Sequence, residues 1–226
     1  MISGANRGIG AAVASTLGGR GWGLSLGLRD PAKLAAPPGA AAVLAHRYEA
    51  RDPASETAWA AATVERFGRI DAVIANAGIM IPKSVPEASD ADLDALLDVN
   101  VKSPLRLVRA AWPWLVLSGR GRFILLASLS AKRVKTARSG IYSISKFAAL
   151  ALTHGVRHAG WDHGIRATAI CPGFVATDMA AGLTDRRQEE MTQPADLAAI
   201  VAMLLDLPNS ASVAEFPINS VLEEFF

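Results

Sequence analysis

The sequence predicts an α/β fold, a doubly wound parallel sheet forming a single domain. Three observations carry that expectation. Short apolar runs alternate with longer helical stretches along the chain, as βαβ units do. A glycine-rich turn stands between the first run and the first helix. No linker rich in proline, serine or glycine, and no internal repeat, divides the 226 residues.

Strands are expected over 1–3, 23–28, 42–47, 72–75, 123–128 and 166–171, and helices over 8–19, 31–36, 54–67, 91–101, 103–118, 142–158 and 194–205. The first strand is short against a usual length of about 5–6 residues. Either the natural chain begins several residues upstream or this strand is unusually brief, and intact mass separates the two. Asp30-Pro31 and Asp52-Pro53 each read as an N-cap followed by proline at the first helical position. Gly68 stands where a helix C-cap would follow Phe67. The unbroken run Phe123-Ile124-Leu125-Leu126-Ala127 suits a central strand covered on both faces. Right-handed crossovers then place a ligand at the carboxyl ends of the strands.

Composition excludes several classes. Half the chain is hydrophobic (51%) and only 6% is aromatic, which suits helices packed on a parallel sheet. Twenty-three basic and 21 acidic residues are interspersed for a net charge of +2, so no nucleic-acid or anionic-membrane partner is expected. Cys171 is the one cysteine, which rules out an intrachain disulfide and suits a reducing compartment. No stretch approaches the ~18 consecutive apolar residues of a membrane helix, and Met1-Ile2-Ser3-Gly4 lacks the regions of a signal peptide. A cytoplasmic location is the expectation.

Three motifs bear chemistry. Ser3-Gly4-Ala5-Asn6-Arg7-Gly8-Ile9-Gly10 sets three glycines between strand and helix, where backbone N–H groups can face a phosphate. Its spacing is G-x-x-x-G-x-G rather than G-x-G-x-x-G, so its place at the head of a β/α chain is what favours a dinucleotide over a purely structural turn. Tyr142-Ser143-Ile144-Ser145-Lys146 puts a phenol and an ammonium four apart on one helix face. A free phenol titrates near ~10, and a neighbouring cation would lower that value. Ser128 closes the central strand, where this architecture presents reactive groups, with Ser130 as the rival hydroxyl.

Together these motifs resemble the short-chain dehydrogenase/reductase family from Ser3 to about Asn219. Asn76-Ala77-Gly78, Asn100 within Asp98-Val99-Asn100-Val101, and Cys171-Pro172-Gly173-Phe174-Val175-Ala176-Thr177 match further family segments in the family's order. The resemblance implies a Rossmann-type domain over 1–226 and an NAD(P)-dependent oxidoreductase acting on a small-molecule carbonyl or alcohol. It implies that Tyr142 is the general acid/base and that Ser128 hydrogen-bonds the reacting oxygen. Lys146 would lower the tyrosine pKa and hold the ribose, and Asn100 would anchor a water of a proton relay. Cofactor contacts carried over by the resemblance are Gly4, Asn6, Arg7, Gly8, Ile9, Gly10, Arg29, Glu49, Ala50, Asn76, Ala77, Gly78, Tyr142, Lys146, Pro172, Gly173, Val175 and Thr177. Departures are a 14-residue step from Ser128 to Tyr142 where many relatives have 13, Ala131 where glycine is frequent, and Glu49 in place of aspartate.

The dinucleotide is decided about 20 residues past the glycine turn, at Gly27-Leu28-Arg29-Asp30. A carboxylate there accepts from a 2′-hydroxyl, whereas cations hold a 2′-phosphate. Arg7 and Arg29 match basic positions of NADPH-preferring relatives, so NADP(H) is favoured. Asp30 keeps NAD(H) with alcohol oxidation as the alternative, and a non-catalytic dinucleotide sensor or scaffold is the rival of another class. Specificity is assigned to the loop over about 178–193, with Met179, Leu183 and Met191. His46, His154, His158 and His163 lack metal-ligand spacing, so no metal is expected. The resemblance implies a homodimer or homotetramer paired through the helices at 103–118 and 142–158. The apolar end, Phe216 to Phe226, is expected to cover an interface or part of the substrate cleft.

Overall fold

The computed structural model describes residues 1–222. Seven parallel strands lie in the order β3-β2-β1-β4-β5-β6-β7: β1 Ile2–Ser3, β2 Gly23–Leu28, β3 Ala42–Arg47, β4 Ala72–Ala75, β5 Arg122–Leu126, β6 Arg166–Pro172 and β7 Glu215–Ile218. Helices α1 Gly8–Gly19 and α6 Pro194–Asp206 cover one face, and α2 Ser55–Phe67, α4 Ser103–Leu117 and α5 Gly140–Gly160 cover the other. Alternation along the central strand divides the core accordingly. Phe123 and Leu125 pack with Leu107, Leu115 and Trp59, while Ile124 and Leu126 pack with Val13, Leu197 and Val201. The doubly wound parallel sheet expected from the alternating pattern is the observed architecture.

The first strand is as brief as the sequence suggested. Ile2 pairs with both Leu26 and Ile74, so β1 is central despite having two residues. Ser3 extends its hold: the hydroxyl accepts from the backbone N–H of Asn76 and of Ala77, each at 3.0 Å. Backbone pairing then continues past the strand, with Gly4 N–H donating to Gly27 O at 2.9 Å.

Four expectations need correction. The helix over 31–36 is a single 3₁₀ turn, Pro31–Lys33, because Pro37-Pro38 follow and proline disfavours helical geometry before it. Asp30 does cap that turn, accepting from Ala32 N–H at 3.2 Å. The strand over 123–128 ends at Leu126, so Ser128 lies two residues beyond it as cap of a 3₁₀ turn, Leu129–Ala131. The helices over 91–101 and 103–118 run without a break. Between α3, Asp90–Leu97, and α4 lies a π-helical turn, Asp98–Lys102. Pro104 has no N–H to close onto the Asn100 carbonyl, and Ser103 N–H reaches back five residues to Asp98 O. Finally, 215–218 of the apolar end form β7, paired with β6. The segment over 223–226 lies outside the described residues.

Candidate active site

A cavity of about 980 Å³ opens at the carboxyl ends of the strands. Its lining includes every catalytic and cofactor residue implied by the resemblance except Gly10 and Asn100, while of the loop candidates Met179 and Leu183 line it and the buried Met191 does not. Gly10 lies beneath the surface. A Cβ there would come within 2.2 Å of Gly4 O and 2.6 Å of Asn76 Nδ2, so glycine lets α1 approach the turn. Asn76 in turn donates from Nδ2 to Ser3 O at 3.0 Å and Gly4 O at 3.2 Å, tying the end of β4 to the turn. Gly4 and Gly8 have φ of +67° and +54°, a region that side chains rarely adopt. The cradle therefore fits a phosphate-bearing dinucleotide: a left-handed, side-chain-free turn leading into a helix N-terminus, in a cavity long enough to continue past it.

Past β5, the Ser128 hydroxyl accepts from Ser130 N–H at 3.1 Å and is the side chain that acts on the Tyr142 phenol, favouring its charged form. Ser130 exerts no such pull on the phenol. Lys146, one turn along α5, is buried, with Nζ 5.7 Å from the tyrosine ring centroid. Nζ donates to Leu126 O at 2.9 Å, which fixes the ammonium against the end of β5. Loss of hydration pushes the Tyr142 phenol up to about 12, against the opposing pull of Ser128. Burial also brings the Lys146 ammonium down to about 8. The lowered tyrosine pKa expected from a neighbouring ammonium is thus reversed in the protein alone, where desolvation dominates.

Asn100, in the π-helical turn, sits behind this pair. Its Oδ1 accepts from Ile79 N–H at 2.9 Å, and its Nδ2 donates to Ile79 O at 3.0 Å and Ser145 Oγ at 3.0 Å. Ser145 Oγ donates to Tyr142 O at 2.7 Å, so the asparagine connects the segment after β4 to the first turn of α5. Gly78 keeps the space between them clear, since a Cβ there would lie 3.3 Å from Asn100 Oδ1 and 3.8 Å from Lys146 Nζ.

At the opposite end of the cavity the two arginines differ. Arg7 is paired with Asp178 at 2.8 Å, both largely exposed. Arg29 lines the cavity with no ion pair among the described residues. Asp30 is engaged with its own turn and with Lys33 at 3.3 Å, and it does not line the cavity. Glu49 and Ala50 line the wall after β3; the Ala50 carbonyl accepts from Arg106, which also pairs with buried Glu56. Sequence reasoning missed Arg51, also in the lining, and Ser3, whose hydroxyl was visible only as part of a turn motif. It also passed over a cluster behind the wall, where Glu215 of β7 accepts from Lys132 and pairs with His154 of α5 at 2.8 Å. Cys171 is fully buried and its thiol is pushed up to about 11 by burial, as a packing residue would be. Among the described residues no group of histidine, cysteine and carboxylate side chains could hold a metal, and no helix is long and apolar enough to cross a membrane.

The short chain dehydrogenase family matches residues 1–188. The chain belongs to the short-chain dehydrogenase/reductase family. The chain is 38% identical over 216 residues to an agropine synthesis reductase of Rhizobium rhizogenes, covering 94% of this chain and 50% of that protein. It thus spans about half the length of that relative. An uncharacterised oxidoreductase of Staphylococcus saprophyticus is 31% identical, with 98% of this chain and 96% of that one covered. Among solved structures, an alcohol dehydrogenase from the archaeon Thermococcus sibiricus, complexed with 5-hydroxy-NADP, superposes with a TM-score of 0.88 at 28% identity, covering 99% and 96% of the two chains.

Proposed function

We propose that this short-chain dehydrogenase/reductase is an NADP(H)-dependent reductase of a small carbonyl compound. One observation carries the reading: Ser128 and Tyr142 line the same cavity, with the buried Lys146 ammonium 5.7 Å from the tyrosine ring centroid. NADPH supplies a hydride when bound. Tyr142, kept protonated by burial, gives its proton to the substrate oxygen, and Ser128 donates a hydrogen bond to the same oxygen as charge develops there. Lys146 holds the ribose hydroxyls and favours the phenolate left behind. Asn100 is a positioning residue, locking Ser145 and hence the turn that carries Tyr142.

The cradle of Gly4, Asn6, Gly8 and Ile9 holds the pyrophosphate over Gly10, and Asn76, Ala77 and Gly78 line the path to the ribose. Glu49 and Ala50 flank the adenine, and Pro172, Gly173, Val175 and Thr177 form the nicotinamide wall. Arg29 binds the 2′-phosphate, because it is the unpaired cation after β2 while Asp30 is committed to its cap. Arg7 joins it by exchanging its partner Asp178. The loop over 178–193 closes the substrate side. Exposed Leu105, Ile144 and Phe147 on α4 and α5 support pairing of two copies through that face.

The test is a titration of the purified protein with NADPH and with NADH, followed by the reduced nicotinamide's fluorescence, then a carbonyl screen with Tyr142→Phe as control. Tight NADPH and weak NADH binding is expected. Preference for NADH would move the assignment to Asp30 and oxidation, and binding without any turnover would favour a sensor.

A further inference from the structure

Cations around the cavity are distributed unlike those elsewhere on the surface. Away from it, arginines and lysines face acids: Arg20 meets Asp206, Arg69 meets Asp71, Lys83 meets Asp92 and Arg187 meets Glu190. Among the described residues, seven cationic side chains have no hydrogen bond, ion pair or ring partner, and only two of these, Arg47 and Arg109, lie outside the cavity lining. The remaining five fall into two groups set by the sheet order. Arg29 follows β2 and Arg51 follows β3, on the side assigned above to the 2′-phosphate. Lys135 and Arg138 lie in the loop between Ser128 and Tyr142, and Arg186 in the loop after β6, so all three enter the lining from the loops assigned above to the substrate side.

Among the described residues no acid answers that second group. The described lining carboxylates are Glu49, at the cofactor end, and Asp178, which is held by Arg7. Asp185 does not line the cavity, and Glu189 and Glu190 pair with Arg187. Glu87, whose carboxyl is held down first by the Ser84 hydroxyl, acts on Arg138 only through space. Like charges gathered on a cleft wall without counter-charges repel one another, and the low-dielectric walls focus their field into the cleft. An anion placed there relieves the repulsion.

We propose that the substrate carries an anionic group, carboxylate or phosphate, held by Lys135, Arg138 and Arg186 while its carbonyl faces Tyr142. This rests on the reductase reading. Recognition is divided along the cavity: the Arg29 end takes the cofactor's phosphate, and the Lys135 end takes the substrate's charge. Thr136 and Ser139, two further polar residues of that loop, line the same wall and are hydrogen-bonded to each other.

The test uses NADPH and three aldehydes of one shape: 4-carboxybenzaldehyde, 4-formylphenyl phosphate and the neutral 4-formylbenzamide. An anion is expected to exceed the amide in kcat/KM by about 10-fold or more at low salt, with the gap narrowing as salt rises. The ratio should fall to about 1 in Lys135→Gln/Arg138→Gln and to an intermediate value in Arg186→Gln. Carboxylate against phosphate identifies the source of the charge. NADPH fluorescence, followed in the same samples, reports that each variant is folded. Equal kcat/KM for anion and amide in the wild-type protein, or a preference that survives in both variants, overturns the proposal. If the wild type reduces none of the three, the reductase reading fails, and calorimetric binding of 4-(hydroxymethyl)benzoate and its amide to the NADP⁺-loaded protein decides this one. Selective binding of the acid, lost in the variants, supports it, and equal binding overturns it.

Discussion

The two ends of the cavity are built on different principles. At the turn after β1, position is fixed by close contact with backbone: the Ser3 hydroxyl and the Asn76 amide each bond main-chain groups across β1 and β4, and Gly10 admits no added atom without a clash against Gly4 O. At the loops after β5 and β6, short 3₁₀ turns such as Ala137–Ser139 carry exposed side chains, and position is fixed by what those side chains meet. The contrast follows from the ligands. Every dinucleotide presents the same pyrophosphate, which backbone N–H groups serve best. Substrates vary, and replaceable side chains on loops can follow them.

The sharpest way to separate the two ends is Tyr142→Phe, which removes the proton donor and leaves the cradle untouched. Steady-state kinetics should show kcat lower by about 10²–10⁴-fold with NADPH binding near wild type. Loss of binding in parallel would mean that the ends are not independent. The converse change is Gly10→Ala, which crowds backbone atoms that cannot move aside. Thermal melting should show a loss of about 1–3 kcal/mol, with weaker NADPH binding.

Titration behaviour is the next level. Lys146 loses its proton as pH rises through about 8, while Tyr142 stays protonated to about 12. The reduction rate should therefore fall roughly tenfold per unit above pH 8 through the lysine alone. A limb first appearing near 10 would place the tyrosine in control. The same depression makes the unfolded chain bind more protons between about 8 and 10.5, so stability of the cofactor-free protein should rise over that window. Smallest is the difference between the two arginines. Arg29→Ala should weaken NADPH by about 10-fold with little change for NADH. Arg7→Ala should cost less, because Arg7 must first give up Asp178.

What the sequence disclosed tracks how local each signal is. The glycine turn and the four-residue step from Tyr142 to Lys146 are contiguous, so pattern and geometry coincide. Asn100 was found by resemblance, but its setting depends on Pro104, four residues on, whose missing N–H opens the π-helical turn. The Lys132–Glu215–His154 cluster joins positions 83 and 61 residues apart, beyond any spacing rule. The strand β7 was illegible because Glu215-Phe216-Pro217-Ile218 is half-exposed and contains proline, unlike a buried parallel run. The expected 31–36 helix rests on the Asp30-Pro31 start signal, which is real, but the two prolines that follow leave only a single turn.

That proline in β7 has a consequence for self-association. Ala169 N–H donates to Ala214 O and Gly173 N–H donates to Ile218 O, so 214, 216 and 218 turn inward to β6 while Glu215 and Pro217 turn outward. The free rim of the sheet thus offers a donor at Glu215 and none at the exposed Pro217. An incoming strand from another molecule would find one donor and a missing N–H along these four residues, which disfavours growth of the sheet from that rim.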